Sequence, residues 1–127
     1  MKLAKYTYLV AGVFGLILVV PAAYAAMVDS SEAMPDPIGA GLFLYGYISQ
    51  FVAWQLLYFI LAADPIRLRP MMVPAFLAEL TAPLNSAWLY FYGVTPWVVL
   101  TIVFLAFATL FLVSYHRTRP RPELSAA

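Results

Sequence analysis

Cysteine is absent from this chain of 127 residues, which removes disulfide cross-links, thiolate metal sites and cysteine nucleophiles together. Histidine occurs once, as His116. Metal centres built from the usual nitrogen and sulfur ligands therefore have no ligand set here. A Ser-His-Asp arrangement would have to assemble around His116 at the very end of the last apolar run, which gives it little weight. Charge is also scarce, at 10% of residues, where soluble domains carry about a quarter. No Gly-rich phosphate loop, dinucleotide fingerprint, nucleic-acid motif or internal repeat occurs. The sequence calls for no cofactor, no metal and no nucleic-acid partner.

What the chain has instead is apolar length. Hydrophobic residues make up 65% of it and the mean hydropathy is +0.88, the composition of an integral membrane protein. Four apolar stretches, over residues 6–27, 38–63, 71–92 and 97–115, each approach or exceed the roughly 20 residues that cross a hydrocarbon core of about 30 Å. The expected fold is all-α: a single transmembrane domain over 1–127, built as a four-helix up-down-up-down bundle. Pro37 and Pro96, preceded by Asp36 and Thr95, read as N-cap and first-turn proline for the second and fourth spans. The first stretch has two readings. Lys2 and Lys5 ahead of an apolar run, followed by Ala23-Tyr24-Ala25, have the form of a cleaved signal peptide. A retained first span, with Gly12 and Gly15 offering a close helix contact, is the reading favoured here.

The distribution of charge orients the bundle. Lys2, Lys5, Arg67, Arg69, Arg117, Arg119 and Arg121 all fall on one side of a four-span layout, and the acids Asp29, Glu32 and Asp36 fall on the other. By the positive-inside rule both termini and the Arg67 turn are cytoplasmic, in a bacterial inner membrane, with 116–127 as a basic, Pro-rich tail. Arg67, Arg69, Arg117, Arg119 and Arg121 read as orientation and headgroup contacts, with Asp64 capping the turn after it and pairing with Arg67 or Arg69. Tyr and Trp gather toward the two ends of the spans, as rings that are apolar on one edge and wet on the other do.

Chemistry concentrates in the second and third spans. Glu79 is the one ionisable group inside an apolar run, and a carboxyl there must be protonated, hydrogen-bonded, or turned toward water or a partner. If the two spans fold back around Arg67, Gln55 lies level with Glu79, and Gln50 and Ser49 lie level with the Asn85 region. That gives two polar layers, with Gln55 as the expected hydrogen-bond partner of Glu79 and Tyr58 or Trp54 as further donors. The spacing of Glu79, Pro83, Ser86 and Tyr90 places them on one helical face, and Pro83 leaves the Glu79 carbonyl without its intrahelical donor. The candidate ligand or proton site is Glu79, Gln55, Gln50, Asn85, Ser86 and Tyr58; no catalytic residue is assigned.

Four spans in this length, Ala53-Trp54-Gln55, the turn Asp64-Pro65-x-Arg67-x-Arg69-Pro70 and Glu79 in the third span resemble small bacterial four-span proteins of DoxX-like topology. The resemblance covers most of the chain and brings no catalytic residues with it. Three functions stay open: a non-enzymatic accessory, structural or lipid- and apolar-ligand-binding subunit; a small oligomeric transporter or proton-coupled carrier using Glu79; and a lipid- or isoprenoid-modifying enzyme. The first is favoured, with the lipid bilayer as partner and a homo-oligomer or larger membrane complex as its setting. The lack of native cysteine makes the orientation directly measurable. In intact cells, Ser31→Cys is expected to react with a membrane-impermeant maleimide, and Ser125→Cys only after the membrane is opened. The opposite labelling pattern would invert the topology.

Overall fold

The computed structural model describes residues 2–29, 37–93 and 98–119, and these are helical apart from short turns. In chain order they form α1 (Lys2–Asp29), α2 (Pro37–Ala63), a single 3-10 turn (Arg69–Met71), α3 (Met72–Phe91) and α4 (Val98–Arg117). No strand occurs among the described residues. Three helical stretches, Lys2–Ala25, Tyr45–Ala63 and Val98–Arg117, are long and apolar enough to cross a membrane. α3 is as long as α4 but is not among them, because Glu79, Thr81, Asn85 and Ser86 dilute its apolar character. The N-cap expectations at Asp36 and Thr95, and the tail from Pro120 onward with Arg121, lie outside the described residues.

Local chemistry sets the breaks between α2 and α3. Proline disfavours helical geometry in the residue before it, and α2 ends at Ala63, with Asp64-Pro65 next. The Asp64 carboxylate then accepts from the Arg67 amide at 3.1 Å, and the Asp64 carbonyl accepts from the Leu68 amide at 3.2 Å, closing the turn as expected. Pro70 sits in the 3-10 turn, where a missing N–H is harmless. At the other end of α3 the amides of Tyr92 and Gly93 bond back to Leu89 and Tyr90, and Gly93 adopts φ +75°. That left-handed cap is open to glycine at little cost.

The core sits at one end of the molecule. Phe111 of α4 is fully buried, with ring centroids 4.4 Å from Tyr8 of α1 and 5.1 Å from Tyr58 of α2. Ala4, Ala11, Leu61, Ala62, Met72 and Ala75 complete the cluster. The start of α1, the end of α2, the start of α3 and the end of α4 are thereby drawn together, and with them Lys2, Lys5, Arg67, Arg69 and Arg117. Along α1 and α4 the contacts run in opposite directions: Tyr8 meets Phe111 while Phe14 meets Phe107, at 5.6 Å.

Arg69 fastens the fourth helix. Its Nε donates to the Tyr115 carbonyl at 3.1 Å and its guanidinium lies 3.9 Å from the centre of the Tyr115 ring. A cation at the carbonyl end of a helix is favoured by the helix dipole, and over a ring by the quadrupole. Arg69 is half-buried as a result, whereas Arg67, Arg117 and Arg119 are exposed. Away from this end the surface is apolar: Ile17, Val20, Val99 and Ile102 are all at least 60% exposed. Truncating the central ring, Phe111→Ala, is expected to cost about 3 kcal/mol by removing contacts to two helices at once. Ile102→Ala, on the exposed face, should cost under about 0.5 kcal/mol. Equilibrium unfolding of the two variants in detergent checks the contrast, and equal losses would contradict the placement of the core.

Candidate functional site

α1 packs along α2, α3 packs along α4, and α1 also meets α4, but α2 and α3 separate soon after the turn that joins them. Between them lies a cleft of about 510 Å³, with Phe104 of α4 completing its wall. Of the two polar layers expected from the sequence, the Gln55–Glu79 level and the Gln50–Asn85 level open onto this single space, while Ser49 does not line it and donates to the Gly46 carbonyl at 2.9 Å. Gln50, Gln55 and Tyr58 line it from α2, and Glu79, Thr81 and Asn85 from α3. Gln50 and Asn85 are exposed, while Tyr58, Gln55 and Glu79 are 2%, 3% and 6% exposed. The cleft thus has a dry polar base and a wetter polar mouth.

At the base the pairing differs from the expected one. The side-chain amide of Gln55 does not reach Glu79: Nε2 donates to the Phe51 carbonyl at 3.1 Å, one turn back on its own helix. That bond fixes the amide, and its oxygen is turned toward Gly15 of α1, packed so closely that a Cβ on Gly15 would overlap it. Tyr58 takes the place of Gln55, its hydroxyl being the polar group that lies beside the Glu79 carboxyl. The physical reason is local: a glutamine in a helix finds a carbonyl four residues back without ordering a second helix, whereas tyrosine has no such option and must look outward. One carboxyl oxygen, Oε2 of Glu79, is left buried without a partner among the described residues. An unpartnered buried carboxyl oxygen is costly.

Ser86 separates from the other candidates. It accepts a hydrogen bond from Thr101 of α4 at 2.9 Å and, with Pro83 and Tyr90, borders a second, apolar space between α3 and α4. The face drawn through Glu79, Pro83, Ser86 and Tyr90 therefore splits: Glu79 turns to α2 and the other three to α4. Behind Tyr58 the fully buried Tyr8 lies with its ring 6.3 Å away and its hydroxyl without a partner among the described residues. No group of three or more His, Asp or Glu that could hold a metal occurs among the described residues.

Sequence reasoning marked only part of the apolar walls. Phe51 and Phe104 carry no polar atom to mark them, and Tyr47 reads from sequence first as an interfacial anchor, with a ring cluster at the outer ends of the second and third spans walling a pocket as the second reading. Gly15 was visible as a close helix contact, but only the packing shows that the group it admits is the Gln55 amide. Comparison of the chain with protein-family models, curated proteins and solved structures finds no match.

The Gly15–Gln55 contact gives a test of the base of the cleft. Gly15→Ala should destabilise by about 1–3 kcal/mol through overpacking. Gln55→Ala removes the obstructing atoms, so the double variant should be more stable than the sum of the two single losses by about 1 kcal/mol. Strict additivity in an unfolding cycle would show that the two residues do not touch.

Proposed function

We propose that this chain is an inner-membrane, up-down-up-down four-helix bundle with both termini cytoplasmic, and that it binds a small amphipathic molecule in the cleft between α2 and α3. The observation that carries the reading is the cleft itself. Its volume is within the roughly 300–1,000 Å³ of small-molecule sites, and its walls are mostly apolar with a few convergent polar groups. Membrane insertion is supported by three helices of sufficient length and hydropathy and by the broad apolar surface away from the core. It is also supported by how α3 handles its polar side chains. Glu79, Thr81 and Asn85 line the cleft and Ser86 meets Thr101, so a helix of lower hydropathy keeps its polar atoms off the lipid face.

The gathering of Lys2, Lys5, Arg67, Arg69 and Arg117 at one end of the fold supports the cytoplasmic assignment of that end. Retention of the first span is supported by the work α1 does in the core, where Ala4, Tyr8 and Ala11 fill one side. The DoxX-like layout belongs to the proposal as a layout and assigns no role to any residue. A carrier would use the same cleft and the same carboxyl, with α2 and α3 free to move apart beyond their shared turn.

Ala82 lines the cleft, and Ala82→Trp should fill it without adding charge. Wild-type protein purified from membranes into lipid nanodiscs is expected to retain a small molecule detectable by mass spectrometry, and the tryptophan variant to lose it. Identical extracts from the two proteins would remove the binding reading. Proteoliposomes that take up the retained molecule faster than empty vesicles would extend binding to transport.

A further inference from the structure

Glu79 is the only carboxyl lining the cleft, and no Lys, Arg or His side chain lines it among the described residues. The described cation nearest to the start of α3, Arg69, is held by Tyr115 of α4. A carboxyl buried in such a wall is either protonated or paired with a positive charge, and the lining supplies no such charge among the described residues. The Tyr58 hydroxyl is the neutral polar group beside the carboxyl, and Oε2 is buried without a partner among the described residues. The groups around Glu79 are neutral from every helix: Gln55, Tyr58 and Trp54 from α2, Tyr8 of α1 behind Tyr58, and Phe104 from α4.

The remaining walls suit the same missing charge. Tyr47, Phe51, Trp54 and Phe104 bring four rings to one space, and Tyr58 adds its hydroxyl. Ring faces attract a cation, most strongly when it is desolvated, and they equally accommodate an apolar body. An anionic head would meet Glu79 with no cation to offset it. A quaternary ammonium would satisfy the rings but has no N–H for Oε2. A neutral alcohol would satisfy Oε2 but not the charge.

On the reading that the cleft binds an amphipathic molecule, we propose that its ligand class is a protonated amine on an apolar or aromatic body, with the ammonium donating to Oε2 of Glu79 and the body lying among the rings. Gln50 and Asn85 at the mouth leave room for a second polar group at the far end of the ligand. The size of the cleft suits a compact molecule.

The test uses full-length protein in lipid nanodiscs and three probes of similar shape: 2-phenylethylamine, 2-phenylethanol and 3-phenylpropanoate. Equilibrium binding at neutral pH is expected to favour the amine over the alcohol by about tenfold or more, in line with a charge-assisted against a neutral hydrogen bond, and to leave the carboxylate weakest. Glu79→Gln should remove the amine's advantage over the alcohol. The wild-type ranking tests the proposal even if that variant fails to fold. Tyr58→Phe, which keeps the ring and removes the donor, should retain a preference for the amine. If all three probes bind equally and Ala82→Trp displaces them all, the amine assignment is overturned and the cleft remains a binding site. Probes that bind no better than to empty nanodiscs would overturn both.

Discussion

Phe111 wedged between Tyr8 and Tyr58 is the contact on which the rest of this structure depends. Three helices meet at that ring, and the fourth is brought in beside it by Met72, which is fully buried, and by Arg69 on Tyr115. On the proposed membrane reading there is little hydrophobic gain from pressing one apolar helix against another, so association rests on close packing and on hydrogen bonds between helices. The aromatic cluster supplies the first, and the Arg69–Tyr115 and Thr101–Ser86 bonds supply the second. Tyr58 belongs to both worlds. Its ring is part of the core and its hydroxyl is part of the cleft.

The position of that core explains why a cleft exists. Packing is concentrated where the basic residues lie, and α2 and α3, held at their shared turn, have no comparable cluster farther along. Space opens between them, and their polar side chains turn into it. A helix with a carboxyl, an asparagine and two prolines is poorly suited to face lipid, but it is well suited to line a cavity. The composition of α3 and the location of the cleft are thus two aspects of one arrangement.

Much of this was legible in the sequence because the governing effects are one-dimensional. The apolar stretches 38–63, 71–92 and 97–115 match α2, α3 and α4 closely, since each is bounded in sequence by a polar segment carrying Pro or Gly, while Pro83 and Glu79 within α3 do not interrupt it. The depth of Glu79 relative to Gln55 followed from distance along a hairpin, and both line the same cleft. What did not follow was direction about the helix axis. Gln55 is at the right depth but bonds to Phe51 on its own helix, and Ser86 turns to α4. Such choices are made by neighbouring helices, and a single sequence carries no signal of which neighbour a residue will face. The same limit hid Phe104, whose helix has no polar residue at that depth to mark its inner face.

The short turn closed by Asp64 makes the α2–α3 pair a lever. At 1.5 Å per residue α2 is about 40 Å long and α3 about 30 Å, and the two touch each other mainly near the fulcrum, each being packed along its length on another helix. A rotation of about 5° at the turn displaces the far tips by about 3 Å over that length. A change at the base too small to disturb the Phe111 cluster would therefore be read out, enlarged, at the mouth beside Gln50 and Asn85.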